Sequence, residues 1–316
     1  LGANDLEEGN SGEKILRSGF FPAAPSLTHR ILNQASVAAS MLLMLVTKRR
    51  HFREFKPDLV IGTVPALPTA MVAHIVASTL RAPYIIDLRD AWPELLKEKG
   101  DWNSGTGKRS VWEIVLTKGP FQLLTALTER AMNCALHRAD GIMTTSQDLT
   151  EHMEKDDADK GAEGKRHIQT VRNVFPPKTE FIASDKSQRS SSELNVLYAG
   201  TVGRAQKIDN AVKAVKIAQD RGYTINLRIV GDGATWHATK ATMEALGISA
   251  TIEHRVPADE LQTIYEWADT ALVHLTDWEP LNRTVPSKTY ELMSLGVHTT
   301  AVVQGEAARI VEDLGA

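Results

Sequence analysis

Leu194-Asn195-Val196-Leu197-Tyr198-Ala199 runs straight into Gly200-Thr201-Val202-Gly203-Arg204-Ala205-Gln206-Lys207. An apolar run stops at a turn holding two glycines, and a helical pattern follows from about 207 to 220. Strand, glycine turn, helix is the unit of a parallel sheet, because parallel neighbours need a long crossover. The scheme recurs downstream. Residues 225–230 read as a strand ending in Gly231-Asp232-Gly233, and 271–275 and 299–303 complete a set.

Upstream the same alternation holds. Leu59-Val60-Ile61-Gly62, Tyr84-Ile85-Ile86-Asp87 and Gly141-Ile142-Met143-Thr144 read as buried strands, with 168–172 as a further one. Between them, 121–137 has helical spacing, with Phe121, Leu124, Leu127, Ala131 and Ala135 on one face. Pro176-Pro177 and the Ser-rich, charged 187–192 divide the two series. The reading is an α/β fold of two Rossmann-like domains, 1–175 and 194–316, joined by a linker at 176–193. Residues 154–166 and 97–110 are charged or Gly/Ser-rich and read as solvated loops or helix ends. The chain begins without Met and stops at Asp313-Leu314-Gly315-Ala316, where a strand or loop would follow. It reads as a fragment lacking elements at both ends.

Composition excludes several classes. Lys plus Arg (36) nearly balances Asp plus Glu (39), against the basic excess of a general nucleic-acid binder. A single cysteine, Cys134, rules out an intrachain disulfide and points to a reducing compartment, hence a cytoplasmic protein. The apolar stretch 35–46 is shorter than the roughly 20 residues that span a bilayer. Gly105-Thr106-Gly107-Lys108 is no phosphate loop, since Trp102 and Arg109 stand where Gly and Ser or Thr are required. No dinucleotide fingerprint follows a strand. The histidines lack metal-ligand spacing, so no metal is expected. Asp157-Ala158-Asp159 sits in an acidic run and reads as a solvated cluster.

Three segments carry chemistry. In Thr284-Val285-Pro286-Ser287-Lys288-Thr289-Tyr290-Glu291-Leu292-Met293-Ser294-Leu295-Gly296, Pro286 and Ser287 mark a helix start, with Ser287 as cap, and Gly296 marks its end. Such a helix start at the carboxyl edge of a sheet favours anions, and Lys288 adds a charge. Glu291 shares the face of Ser287 and Lys288. Position 290 is Tyr, so no capping box claims the carboxylate, and it is read as open to hydroxyls such as those of a ribose. A surface Glu stabilised by the helix dipole is the competing reading. In the second segment, Gly203 permits close backbone approach, while Arg204 and Lys207 suit a diphosphate. An ordinary turn with solvated cations competes. In the third, Leu88-Arg89-Asp90-Ala91-Trp92-Pro93 follows a strand. Asp90 is a candidate to orient or deprotonate an acceptor hydroxyl, and Arg89 to meet a phosphate or an acidic acceptor. A structural Arg–Asp pair over Trp92 competes.

These residues carry a resemblance. With Arg89-Asp90-Ala91-Trp92-Pro93, 200–207, Leu227-Arg228-Ile229-Val230-Gly231-Asp232-Gly233, 285–296 and Gly305-Glu306, the chain resembles family-4 retaining glycosyltransferases of the surface-polysaccharide branch over 56–316. The resemblance implies a GT-B fold whose sites lie between an acceptor-side domain and a nucleotide-sugar domain. It implies that Glu291 binds the donor ribose. Gly203, Arg204, Lys207, Ser287 and Lys288 bind the diphosphate and its surroundings, and backbone at Val256 meets the base. Arg89 falls where many members have a His, with Asp90 beside it. Many members have Glu eight residues before the ribose-binding Glu; here that position is Arg283, with Glu279 slightly earlier. Arg283, Thr284 and Val285 then face the donor sugar.

The expected activity is transfer of a sugar from a nucleotide diphosphate sugar to a glycan or lipid-linked acceptor. It is expected to be retaining, metal-independent and without a cofactor, the donor serving as co-substrate. A GT-B epimerase or phosphorylase and a non-catalytic nucleotide-sugar-binding subunit are the alternatives. Met41 to Val46 followed by Lys48, Arg49, Arg50, Arg53 and Lys56 fits a peripheral contact with the inner face of the membrane, or a buried helix with a charged end.

Overall fold

A computed structural model describes residues 6–22, 27–64, 68–96, 120–162, 164–173, 193–257 and 260–313. The segments 97–110 and 176–192 lie outside these residues. Two compact units emerge, one holding 6–145 and 149–171 of the described residues, the other 146–148 and 172–313.

The first unit opens with an antiparallel hairpin of β1 (Leu6–Glu8) and β2 (Lys14–Leu16). Helices α1 (Leu27–Thr47) and α2 (Arg49–Phe55) follow. Then come β3 (Val60–Val64), α3 (Pro68–Leu80), β4 (Tyr84–Leu88), α4 (Pro120–His137), β5 (Gly141–Thr144), α5 (Gln147–Asp159) and β6 (His167–Thr170). The sheet is parallel in the order β3-β4-β5-β6. Its core holds Val64, Ile86, Leu88, Met132, Ala135, Leu136 and Ile142. Among the described side chains of α4, 132, 135 and 136 are buried, whereas Leu127 is 55% exposed; those of Phe121 and Leu124 lie outside the described residues. The sequence reading had the right helix, with Ala135 facing inward and Leu127 not.

Two further expectations change here. Asp157 is not a solvated acid. It is buried in α5 and grips the equally buried Arg166 through two bonds of 2.7 Å. A buried carboxylate persists only when paired, and the partner lies nine residues away beyond the helix end. In α1, Met44 and Leu45 are buried, while Leu32, Leu43 and Val46 are 47%, 61% and 70% exposed. The helix is thus not simply a core element with a charged end.

The second unit contains β7 (Glu193–Ala199), α6 (Asp209–Asp220), β8 (Thr224–Val230), α7 (Trp236–Leu246), β9 (Ala250–Glu253) and α8 (Leu261–Trp267). It continues with β10 (Thr270–His274), α9 (Ser287–Ser294), β11 (Thr299–Val302) and α10 (Gly305–Asp313). All neighbours pair in parallel in the order β11-β10-β7-β8-β9. The chain starts at β7, steps outward through β8 to β9, and returns past β7 to β10 and β11. Side chains alternate across the sheet. Leu197, Ala199, Ala271 and Val273 face Tyr265 and Leu292. Tyr198, Leu227, Ile229 and Leu272 face Val212 and Trp236.

Candidate functional site

The reversal of strand order between β7 and β10 makes a switch point. Loops leave the carboxyl ends of these neighbours in opposite directions, and ligands of open parallel sheets bind there. One loop is 200–208 and the other 275–286.

The first loop is held by its neighbour after β8. Gly200 N–H donates to the Val230 carbonyl (2.9 Å), Val202 N–H to the Asp232 carbonyl (3.0 Å), and Thr235 N–H to the Val202 carbonyl (3.1 Å). Glycine is required for this approach: a Cβ on Gly231 would lie 1.8 Å from the Gly200 carbonyl oxygen, and one on Gly233 2.1 Å from that of Val202. Gly203 is buried, Arg204 half-buried and Lys207 exposed. Lys207 has a φ of 43°, sparsely populated for a residue with a side chain. Its N–H closes the turn on the Gly203 carbonyl at 3.1 Å. The helix begins later than the sequence pattern indicates, at Asp209, whose carboxylate meets Lys213 at 3.1 Å. Cations therefore sit on the loop, and an acid occupies the first helical turn.

In the second loop, Arg283 pairs with Glu279 and its side chain is 13% exposed. The Thr284 hydroxyl donates to the Leu281 carbonyl (2.9 Å), and Val285 is buried. The cap of α9 is Pro286, with no side-chain cap bond; Ser287 is the first helical residue and is exposed. Glu291 is engaged rather than open. Tyr265 donates its hydroxyl to Oε1 at 2.9 Å, and Lys288 Nζ donates to Oε2 at 2.8 Å and to the Tyr265 oxygen at 3.0 Å. Burial, reinforced by the Glu291 charge, pushes the Tyr265 phenol up, so it stays a donor. Lys288 is thus charge-compensated in this state. Tyr265 had no motif to announce it, since it lies on another helix, 26 residues from Glu291.

Val256, half-buried, packs against the core beside Tyr265. Asp232 organises its approach, accepting the Arg255 N–H (3.1 Å) and meeting His254 Nδ1 (2.5 Å). These bonds hold the Asp232 carboxyl below its ordinary range. His254 stacks on Trp236 with centroids 4.5 Å apart. Glu306 is buried and paired with Arg172, which also donates to the Tyr290 oxygen at 2.9 Å.

In the first unit, Arg89 pairs with Asp87 (2.9 Å) at the end of β4, not with Asp90. Asp90 follows at the strand's carboxyl end. Burial pushes its carboxyl up, with a hydrogen bond from Trp92 acting the other way. Asp87 is the partner that the sequence reading passed over.

The parallel sheets and their glycine-bounded loops match the fold of solved GT-B glycosyltransferases. The sucrose-phosphate synthase of Thermosynechococcus elongatus superposes with a TM-score of 0.63 at 15% identity, over 95% of this chain and 68% of that one. Anabaena HepE, solved with UDP-glucose, gives 0.56 at 13% identity over 90% and 72%. WaaG, a glycosyltransferase involved in lipopolysaccharide biosynthesis, gives 0.54 at 15% identity over 93% and 70%. Among curated proteins the chain is similar to WcaI of Escherichia coli (strain K12), a glycosyl transferase assigned to colanic acid biosynthesis. The two are 24% identical over 301 residues, which is 91% of this chain and 66% of that protein. No family model matches.

Proposed function

We propose that the chain carries the donor-binding machinery of a glycosyltransferase of family 4. It moves a sugar from a nucleotide diphosphate sugar to a glycan or lipid-linked acceptor in polysaccharide building, with retention and without a metal or cofactor. The observation that carries this reading is the placement of Arg204 and Lys207 on the loop after β7, and of Lys288 in the first turn of α9 after β10, on the two connections that flank one switch point. Breaking the sugar–phosphate bond builds negative charge on the leaving diphosphate. Cations and backbone N–H groups already in place stabilise it without reorganising. Donor entry exchanges the Lys288–Glu291 contact for phosphate at Lys288 and ribose hydroxyls at Glu291. Val256 backbone meets the base, and Gly203, Ser287 and the 283–285 backbone line the path to the sugar. Asp90, raised by burial, takes or orients the acceptor proton, and Arg89, steadied by Asp87, faces charge on the substrate.

Among the described residues no helix is long and apolar enough to cross a membrane. The exposed Leu43 and Val46 beside Lys48, Arg49 and Arg50 support a peripheral contact with an anionic bilayer at its cytoplasmic face. Arg204→Ala and Lys207→Ala test the main reading. Each is expected to lower turnover about 100-fold, the scale of one lost transition-state contact. Turnover within a few-fold of the parent protein defeats the phosphate assignment.

A further inference from the structure

Gly305-Glu306 opens α10 just past the carboxyl end of β11, and the function proposed above gives the pair no role. Gly305 has a φ of 63°, and a Cβ there would lie 1.9 Å from the Asn282 carbonyl oxygen. Glycine is what lets α10 start this close to the 275–286 loop. Glu306 follows and is 4% exposed. A carboxylate so buried needs partners on its oxygens. Asp148 N–H donates to Oε2 at 3.0 Å, and the Arg172 guanidinium pairs with Oε1.

The guanidinium nitrogen that meets Glu306 also donates to the Tyr290 oxygen at 2.9 Å. Tyr290 lies on α9, next to Glu291 in sequence. This helix has eight residues and no side-chain cap bond, well short of the roughly 12 that an isolated helix needs in water. Thr289 and Leu292 are buried and seat it on the sheet. Its rotation needs more. At about 100° per residue, Ser287 and Glu291 lie between Tyr290 on one flank and Lys288 on the other. Tyr265 holds the Lys288 flank through its bonds to Glu291 and Lys288. Arg172, held in turn by Glu306, holds the Tyr290 flank.

We propose that Glu306 is a positioning residue for the donor site. By ordering Arg172 against the Tyr290 phenol it fixes the rotation of α9, and with it the direction of Ser287, Lys288 and Glu291. The role rests on the reading of α9 as donor-binding, because Glu306 acts only through those three residues.

The test is a double-mutant cycle on the whole protein. Glu306→Gln keeps the shape and removes the charge that holds Arg172. Tyr290→Phe keeps the ring and removes the oxygen. Arg172→Lys, which keeps a cation beside Glu306 without the planar fork, replaces Glu306→Gln in the cycle should that variant fail to fold. Calorimetric affinity for UDP and hydrogen exchange of the α9 amides are read on each. Each single variant is expected to weaken UDP about tenfold, the scale of one lost hydrogen bond to a charged group, and to speed α9 exchange. The double variant is expected to bind UDP as Tyr290→Phe does, because both changes cut one chain of contacts. UDP binding unchanged in Tyr290→Phe, or losses that multiply in the double variant, overturn the proposal. A parent protein that binds no UDP defeats the donor reading instead, and α9 exchange, which needs no ligand, still decides whether Glu306 clamps the helix.

Discussion

Gly233→Ala tests how the 200–208 loop, the proposed phosphate loop, is held. The added Cβ would lie 2.1 Å from the Val202 carbonyl oxygen and 2.5 Å from its carbon, more than 1 Å inside ordinary contact. Both neighbours are backbone, so no flexible side chain can yield. Val202 is fully buried and its carbonyl accepts from Thr235, so the loop can move only by breaking that bond. Overpacking of this kind costs about 1–3 kcal/mol. Displacing the catalytic groups by about 1 Å costs on the order of 100-fold in rate. Gly247→Ala is the control: its φ is 59° and nothing lies within 4 Å of the new Cβ, so it strains the backbone of α7 far from the loop. Urea midpoints and calorimetric affinity for UDP are measured on both. Both variants are expected to lose stability, but only Gly233→Ala is expected to lose UDP affinity, by tenfold or more. Equal UDP affinity for the two would refute the idea that the β8 loop positions the phosphate loop.

The buried Asp157–Arg166 pair gives a prediction about stability alone. Asp157→Ala leaves a guanidinium buried without its partner and should cost the first unit about 3–5 kcal/mol in denaturant unfolding, while UDP binding survives. Asp90 gives a pH dependence. Its raised pKa means that the folded chain holds the proton more firmly than the unfolded one. Ionised Asp90 therefore destabilises the fold above that pKa, and the penalty disappears as pH falls through it. Asp90→Asn should be at least as stable as the parent protein at neutral pH, yet nearly inactive. In the parent protein, turnover should decline with falling pH at a higher pH than an ordinary aspartate would give. His274, lowered by burial, works with the opposite charge: stability should drop as pH falls below the ordinary histidine range, because the unfolded chain takes up a proton that the buried ring refuses. His274→Phe should flatten that part of the melting-temperature profile. Tyr265→Phe removes the hydroxyl between Glu291 and Lys288 and should cost about 1 kcal/mol in urea unfolding, with no change in m-value.

Strands with continuous apolar runs were legible because both faces of a parallel sheet are buried. Residues 141–144 form β5 as read, and β7, β8 and β10 moved by only a residue. By contrast, β9 is Ala-Thr-Ile-Glu, short and half-exposed, and it carries no such run. The candidate cations were visible as loop residues between a strand and a helix. Their partners were not, because pairing here is long-range. Glu291 meets Tyr265 on another helix, and Asp157 finds Arg166 nine residues on, beyond the helix end; Arg89 reaches back only two residues to Asp87, past the Asp90 beside it. The start of α6 was set two residues early because Lys207 carries the helical pattern while its backbone sits in the left-handed region. His274 looked like one more residue of an apolar strand.

The sharpest measurement is the affinity of the protein for uridine, UMP and UDP, taken at two salt concentrations, with and without Lys207→Ala. Cations that grip a pyrophosphate predict a rise in affinity with each phosphate, a fall with salt, and a collapse of UDP toward UMP in the variant. Three nucleotides of equal affinity, or a variant that holds UDP as the parent does, would contradict the account.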